Sequence, residues 1–342
     1  MRNCRRRVQL LRQWKNRRRI HEMEMGTRRL HSSKVIVISQ SEDHSQPQCS
    51  TFILFRFNAT NMLEMIRGKR VVFAGDSLNR NQWESMLCLL IGAVKDPNKV
   101  YETRGRKIVK LHGDYVFEFA DYRCSVEFHV SHFLVREEKM SSNEKTVRTL
   151  HIDKIDPGSA AWVNADLLIF NTAHWWAHSK TNSGINNFQD GRELHRRLNF
   201  SEAFRSALIT WASWIDLNIN PNKTRVFFRS AEPYHYRGGS WDSGGHCSGI
   251  LKPEKLVMSG DNVRTEFDQI NVITDEIIGG MRTPVTILNI TGLSDLRVDA
   301  HPSKYFHKII NSSTEDCGHW CLPGVPDTWN EVLYHHLLYS HT

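Results

Sequence analysis

The sequence predicts an α/β protein: a three-layer α/β/α sandwich around a mainly parallel sheet. Two observations lead there. Four short apolar runs, starting near residues 71, 167, 225 and 284, have the unbroken hydrophobicity of strands buried on both faces. Helical apolar spacing separates them, and that alternation is the pattern of a parallel sheet flanked by helices. At 342 residues and 40% hydrophobic composition, the chain can bury a substantial core.

Residues 52–57 lead into a short predicted helix at 61–66. Val71-Val72-Phe73-Ala74 reads as a buried strand that stops at Gly75, and from Leu78 to Leu90 the apolar spacing turns helical. Residues 108–122 alternate around His112-Gly113-Asp114, which predicts a hairpin. A strand follows at 125–130, and the charged stretch 136–146 reads as a loop. Residues 165–170 form a buried strand ending at Asn171-Thr172-Ala173-His174-Trp175-Trp176. Residues 191–217, with Trp211 and Trp214, read as one long helical region. The strand at 224–229 is followed by the Gly-rich stretch 233–247. A helix at 265–278, a strand at 284–290 and a closing helix from Pro326, capped by Asp327, complete the chain.

The net charge of +8 is unevenly spread. Residues 1–30 hold eleven Arg or Lys against Glu22 and Glu24, a net +9, which leaves −1 for residues 31–342. The near-neutral remainder offers no electrostatic basis for a nucleic-acid surface. Residues 1–50 are basic, then rich in Ser, Gln and His, and read as a disordered leader apart from the domain at 51–342. Seven cysteines and five N-x-S/T sequons, at Asn58, Asn199, Asn222, Asn289 and Asn311, fit an oxidising, glycosylating compartment.

A strand that breaks at Gly and restarts as a helix puts Ser77 at a helix N-terminus, where free N–H groups gather. Its hydroxyl there is a candidate nucleophile, with oxyanion donors already in place; a plain capping role for Asp76 or Ser77 is the alternative. Chemistry in such sheets sits at the carboxyl ends of the strands, which here also present Asn171, His174, Arg229 and Ser230. A serine nucleophile needs a base and a group that orients it. Asp316 and His319, three apart in a Cys-, Pro- and Gly-punctuated loop, are the first candidates. Asp299 with His301, or His174, are the rivals. His174-x-x-x-His178 has metal-like spacing but lacks a Glu after the first His and a third ligand, so no metal is expected. Cys317, His319 and Cys321 could also be drawn as ligands, but the sequons favour disulfides for the cysteines.

Two long segments resemble the signature motifs of the plant trichome-birefringence-like family. They are Gly75-Asp76-Ser77-Leu78-Asn79-Arg80-Asn81-Gln82-Trp83-Glu84-Ser85-Met86 and Asp316-Cys317-Gly318-His319-Trp320-Cys321-Leu322-Pro323-Gly324-Val325-Pro326-Asp327-Thr328-Trp329-Asn330-Glu331. The segments at 171–176 and 228–247 also look like family segments, and the resemblance covers roughly residues 55–340. Members are Golgi polysaccharide O-acetyltransferases with a fold similar to the GDSL/SGNH esterases. The resemblance therefore implies a Ser77–His319–Asp316 triad, with Gly75, Asp76, Asn171, His174 and Arg229 as oxyanion or substrate-binding candidates. It implies no bound cofactor. An acetyl donor (acetyl-CoA or a carrier) would be co-substrate, and a donor-supplying membrane protein and a wall polysaccharide (xylan, mannan, xyloglucan or pectin) would be partners. It implies a type II Golgi membrane protein, although residues 1–50 do not resemble the tail, signal-anchor and Cys-rich region of members. On this reading Cys247 and Cys317 are expected to be bonded, and Cys88 and Cys321 unpaired. An acetyl-esterase with the same triad and a non-catalytic polysaccharide-binding protein remain alternatives.

Overall fold

The computed structural model describes residues 57–109, 113–142, 145–176, 187–195, 198–239, 244–250, 266–303 and 315–339. The basic leader at 1–50, His178 and Asn311 lie outside them.

Helix α1 (Ala59–Met65) opens on Asn58, whose side chain accepts from the Asn61 N–H. Strand β1 (Arg70–Gly75) runs into α2 (Ser77–Ile91) through Asp76, which caps the helix. Next come β2 (Val100–Glu102), β3 (Tyr115–Phe119) and β4 (Cys124–Val130). The hairpin β5 (Val135–Ser142) and β6 (Lys145–Ile155) precedes β7 (Leu167–Phe170). Strands β8 (Asn187–Asp190) and β9 (Glu193–His195) are followed by α3 (Phe200–Asn218) and β10 (Arg225–Arg229). Helix α4 (Glu266–Gly279), β11 (Val285–Leu288), the short α5 (Thr291–Asp295) and α6 (Val325–Tyr339) close the described chain.

The main sheet has the order β11-β10-β7-β1-β4-β3-β2. The first five strands pair in parallel and β3 and β2 add an antiparallel edge. The predicted sandwich is this sheet with its two covers. Val72, Ala74, Leu168, Phe170, Val226 and Phe228 face α3 and α4. Val71, Phe73, Ile169 and Phe227 face the other way, into a cluster with Trp83, Met86 and Leu90 of α2 and Leu333 of α6. Burial on both faces is why these strands show no alternation. From β1 the chain first adds β4 on one side, then β7, β10 and β11 on the other. The strand order therefore reverses beside β1, and in such sheets ligands bind outside the carboxyl ends of the strands at that point.

Three expectations need correction. The stretch 136–146 is not a loop: most of it belongs to the β5–β6 hairpin of a second, four-stranded sheet, β5-β6-β8-β9. Charged pairs across the hairpin replace the apolar signal, with Arg148 donating to Glu137 at 2.7 Å and His151 2.8 Å from Glu138. Residues 191–217 are not one helix. Gly191, at φ +57, turns β8 into β9, and α3 begins only after Asn199, which accepts from the Ser201 N–H. The hairpin partners of β3 are β2 and β4, not residues 108 and 109; Val109 is instead held in a loop by the Tyr115 hydroxyl.

A buried polar cluster sits on β4. Glu127 takes two bonds from Arg70, at 2.9 and 3.0 Å, and lies 3.1 Å from His129, which also faces Asp114. Burial alone would lower the pKa of His129, but Asp114 and Glu127 outweigh it and raise it to about 8. Burial would raise Glu127, but His129, Arg70 and Ser125 pull it down to about 2. The stability from His129 is therefore complete below its unfolded value near 6.5 and is lost as pH rises through about 8. That from Glu127 is complete above about 4.5 and is lost as pH falls toward 2. The gap in melting temperature between wild type and His129→Gln is expected to be widest in between and to close by pH 9. A constant gap from pH 6 to 9 would contradict this assignment.

Candidate active site

Ser77 stands at the head of α2, at the carboxyl end of β1. Asp76 caps the helix by accepting from the Leu78 N–H at 2.9 Å. Asn79 ties the helix to the sheet, donating to the carbonyls of Ala74 and Ile169 at 2.9 Å each. Gly75 is required by crowding: a Cβ there would lie 2.1 Å from Asn171 Oδ1. Among the described residues no partner holds the Ser77 N–H, as is usual in the first turn of a helix, so it is available as a donor.

His319 lies 242 residues downstream, and its Nε2 is 2.8 Å from Ser77 Oγ. Its Nδ1 is 3.0 Å from Asp316 Oδ2 and 3.1 Å from Oδ1. Burial would raise the pKa of Asp316, but His319 and the N–H groups of His319 and Gly318 outweigh it and hold the carboxyl well below its usual range. An ionised carboxylate only accepts, so Nδ1 carries the imidazole proton and Nε2 is left to accept from the serine. This is the hydrogen-bond order of a nucleophile, a base and its orienting group.

The loop that delivers His319 is pinned from several sides. Cys247 and Cys317 are bonded, as expected, with Cα atoms 5.9 Å apart and a sequence separation of 70. Such a loop is worth about 4 kcal/mol in the chain-entropy model. Glu315 accepts from the N–H groups of Cys247 and Ser248 at 2.8 and 2.7 Å and from the Ser303 hydroxyl at 2.9 Å. Burial would raise its pKa, yet those bonds lower it to about 2. Asn81, one turn into α2, accepts from the Trp320 N–H at 2.8 Å and donates to its carbonyl at 3.3 Å, so the serine helix grips the histidine loop directly. Gly324 N–H donates to Asp327 at 3.2 Å and the Ser85 hydroxyl also donates to Asp327, which fixes the start of α6 against α2. Neither Glu315 nor Asn81 stands out in the sequence, because their partners are distant in the chain.

The other predicted residues form the buried support of this site. Asn171 accepts the Asp76 N–H at 3.2 Å and donates to Asp76 Oδ1 at 2.9 Å. Burial would raise the pKa of Asp76, but His174, Asn171, Arg229 and the Leu78 N–H outweigh it and keep the carboxyl below its ordinary value. His174 Nε2 donates to the Glu232 carbonyl at 2.9 Å. Arg229 lies 3.1 Å from Glu232 and over the Trp329 ring at 4.3 Å. Both side chains are buried. Glu232 is pushed up to about 7 by burial, against the pull of Arg229.

Of the rival base pair, Asp299 is engaged by Arg297 at 2.8 Å, whereas His301 touches the backbone of His319. Cys88 is disulfide-bonded, not free, to a partner outside the described residues, while Cys321 is free as expected. Among the described residues one trio of metal-binding side chains converges, Cys247, Glu315 and Cys317, but its two sulfurs are bonded to each other. No helix among the described residues is long and apolar enough to cross a membrane.

Residues 54–336 match the PC-Esterase family, the GDSL/SGNH-like acyl-esterase family found in Pmr5 and Cas1p. The chain is 55% identical over 288 residues to trichome birefringence-like 6 of Arabidopsis thaliana, covering 83% of this chain and 60% of that protein. It is 46% identical over 299 residues to trichome birefringence-like 1 of the same plant, covering 85% of this chain and 52% of that one. The chain thus spans between half and three-fifths of the length of these two relatives. With trichome birefringence-like 9 it shares 41% identity over 293 residues, which covers 83% of this chain and 69% of that relative. The family match runs through both the serine helix and the histidine loop, and the chain belongs to the plant trichome birefringence-like proteins of the GDSL/SGNH-like acyl-esterase family.

Proposed function

We propose that this protein is an O-acetyltransferase that acetylates hydroxyls of plant cell-wall polysaccharides through an acetyl-Ser77 intermediate. The observation that supports it most is the hydrogen-bonded line Ser77 Oγ, His319 Nε2, His319 Nδ1, Asp316, at 2.8 and 3.0 Å. His319 takes the hydroxyl proton as Oγ attacks the acetyl carbonyl of a donor, acetyl-CoA or a carrier. The Ser77 N–H and the positive end of α2 stabilise the tetrahedral oxyanion. As it collapses, the bond to the donor's leaving group breaks, and His319 gives that group the proton. A sugar hydroxyl then gives its proton to His319 and attacks acetyl-Ser77; collapse returns the proton to Ser77 Oγ and leaves the sugar ester. Asp316 keeps the imidazole in the tautomer this cycle needs and stabilises its cationic form.

The same reading puts the protein in the Golgi lumen, where a membrane partner can supply the donor. The exposure of Asn58, Asn199, Asn222 and Asn289 agrees with glycosylation there. A hydrolytic reading is favoured by the acyl-esterase description of the matched family, since water can replace the sugar hydroxyl without any change in the triad.

Incubation with acetyl donor and xylan, mannan, xyloglucan or pectin, scoring polysaccharide-bound acetyl against free acetate, separates these readings. Transfer is expected to one acceptor class and to exceed acetate release several-fold. Acetate release that ignores the acceptor would make the protein an esterase. Retention on polysaccharide with neither product would make it a binding protein.

A further inference from the structure

We propose that His301 is a positioning residue for His319, and that His235 holds it in the tautomer this requires. The inference rests on the reading of His319 as the base that serves Ser77.

His301 follows α5, and its Nδ1 is 2.7 Å from the carbonyl oxygen of His319. A carbonyl can only accept, so Nδ1 carries a proton. The Nε2 of the same ring is 2.7 Å from Nδ1 of His235. A neutral His301 with its proton on Nδ1 must accept at Nε2, so His235 Nδ1 donates. The protons are thereby ordered along one line, from His235 to His301 to the His319 carbonyl. Trp320 packs on His301 with ring centroids 4.2 Å apart and meets His235 at 5.7 Å, edge to face. Both imidazoles are therefore held by packing as well as by hydrogen bonds.

The neutral form of His301 is built in. Burial, then the neighbouring His235 and His319, hold the His301 pKa down to about 4, against the opposing influence of the His319 carbonyl and Asp316. The charged and titratable groups around the pair are Asp295 on α5, 3.5 Å from His235 Nε2, and Asp316 and His319 on the catalytic loop. Asp299, two residues before His301, is occupied by Arg297.

Position is what this line supplies. His319 is held at its N–H by Asp316 Oδ1 at 2.9 Å and at its ring Nδ1 by Asp316 Oδ2 at 3.0 Å. Both grips come from a carboxylate three residues away on the same loop, so a swing of the loop would carry them along. The bond from His301 acts on His319 from outside the loop. It fixes the imidazole relative to Ser77, where a misplacement of about 1 Å costs on the order of a hundredfold in rate.

The test is a set of His301 and His235 variants, read by acetyl transfer and by the rate at which a fluorophosphonate labels Ser77. Labelling needs the serine and its base but neither donor nor acceptor. His301→Ala should lower kcat and the labelling rate about tenfold to a hundredfold with KM for the acceptor unchanged. His301→Asn, which returns an N–H close to the place of Nδ1, should recover most of the loss. His235→Phe should slow labelling too, and the double variant His235→Phe/His301→Ala should be no slower than His301→Ala, because the two residues act in series. Labelling of His301→Ala at the wild-type rate, no recovery in His301→Asn, or simple additivity would overturn the inference. If His301→Ala does not fold, the His235→Phe rate decides alone: labelling of that variant at the wild-type rate would overturn it. Failure of the wild-type protein to label at Ser77 is a separate outcome, which removes the serine reading itself and this inference with it.

Discussion

Ser77→Ala is expected to reduce acetyl transfer by on the order of 10⁴-fold or more, as loss of a nucleophile in a serine–histidine site does. The structure gives the substitution little else to disturb. The hydroxyl is only half-buried and its partner is His319 Nε2. The cap of α2 belongs to Asp76 and the helix-to-sheet tie to Asn79, and both survive. Stability should stay within about 0.5 kcal/mol of wild type. Turnover and melting temperature measured on the same preparation check both halves. Near-wild-type turnover would end the serine mechanism, and a large fall in melting temperature would mean that Ser77 matters to the fold.

The second large effect concerns the base. His319→Ala should lose several orders of magnitude in kcat, and Asp316→Asn about 10⁴-fold, because an amide beside Nδ1 no longer selects the tautomer that leaves Nε2 free. Asp299→Ala should change kcat little, since Asp299 is engaged by Arg297. The ranking is diagnostic: His319 and Asp316 far below wild type, His301 intermediate, Asp299 close to it. Full activity in His319→Ala with collapse in Asp299→Ala would hand the base role to the other pair.

The convergence of Ser77, His319 and Asp316 was legible in the sequence because each half of it is local. A buried strand, Gly-Asp-Ser and a helix specify where Ser77 stands, and Asp316 and His319 are three residues apart in one loop. The parallel strands were legible because burial on both faces removes alternation and leaves plain apolar runs. The second sheet was not, because ion pairs such as Arg148 with Glu137 stabilise its first hairpin and look in sequence like a solvated loop. Nor was the β8–β9 turn, since Gly191 lies inside a stretch whose average composition suits a helix. The supports of the site were hidden for a different reason. Asn81 and Trp320 are 239 residues apart, and Glu315 reaches Cys247 across 68. No local pattern encodes such pairs. The Cys88 bond escaped in the same way, because pairing depends on which chain segments meet.

The most direct test of the account is to look for the acetyl group on the enzyme. The protein is mixed with an acetyl donor without acceptor, quenched in acid within the first turnover, digested and read by mass spectrometry. The account predicts an acetyl group on the peptide that contains Ser77. It should be absent from Ser77→Ala and His319→Ala and discharged when polysaccharide is added before the quench. Acceptor acetylation at the full rate, with no acetyl on Ser77 at any time point, would contradict it.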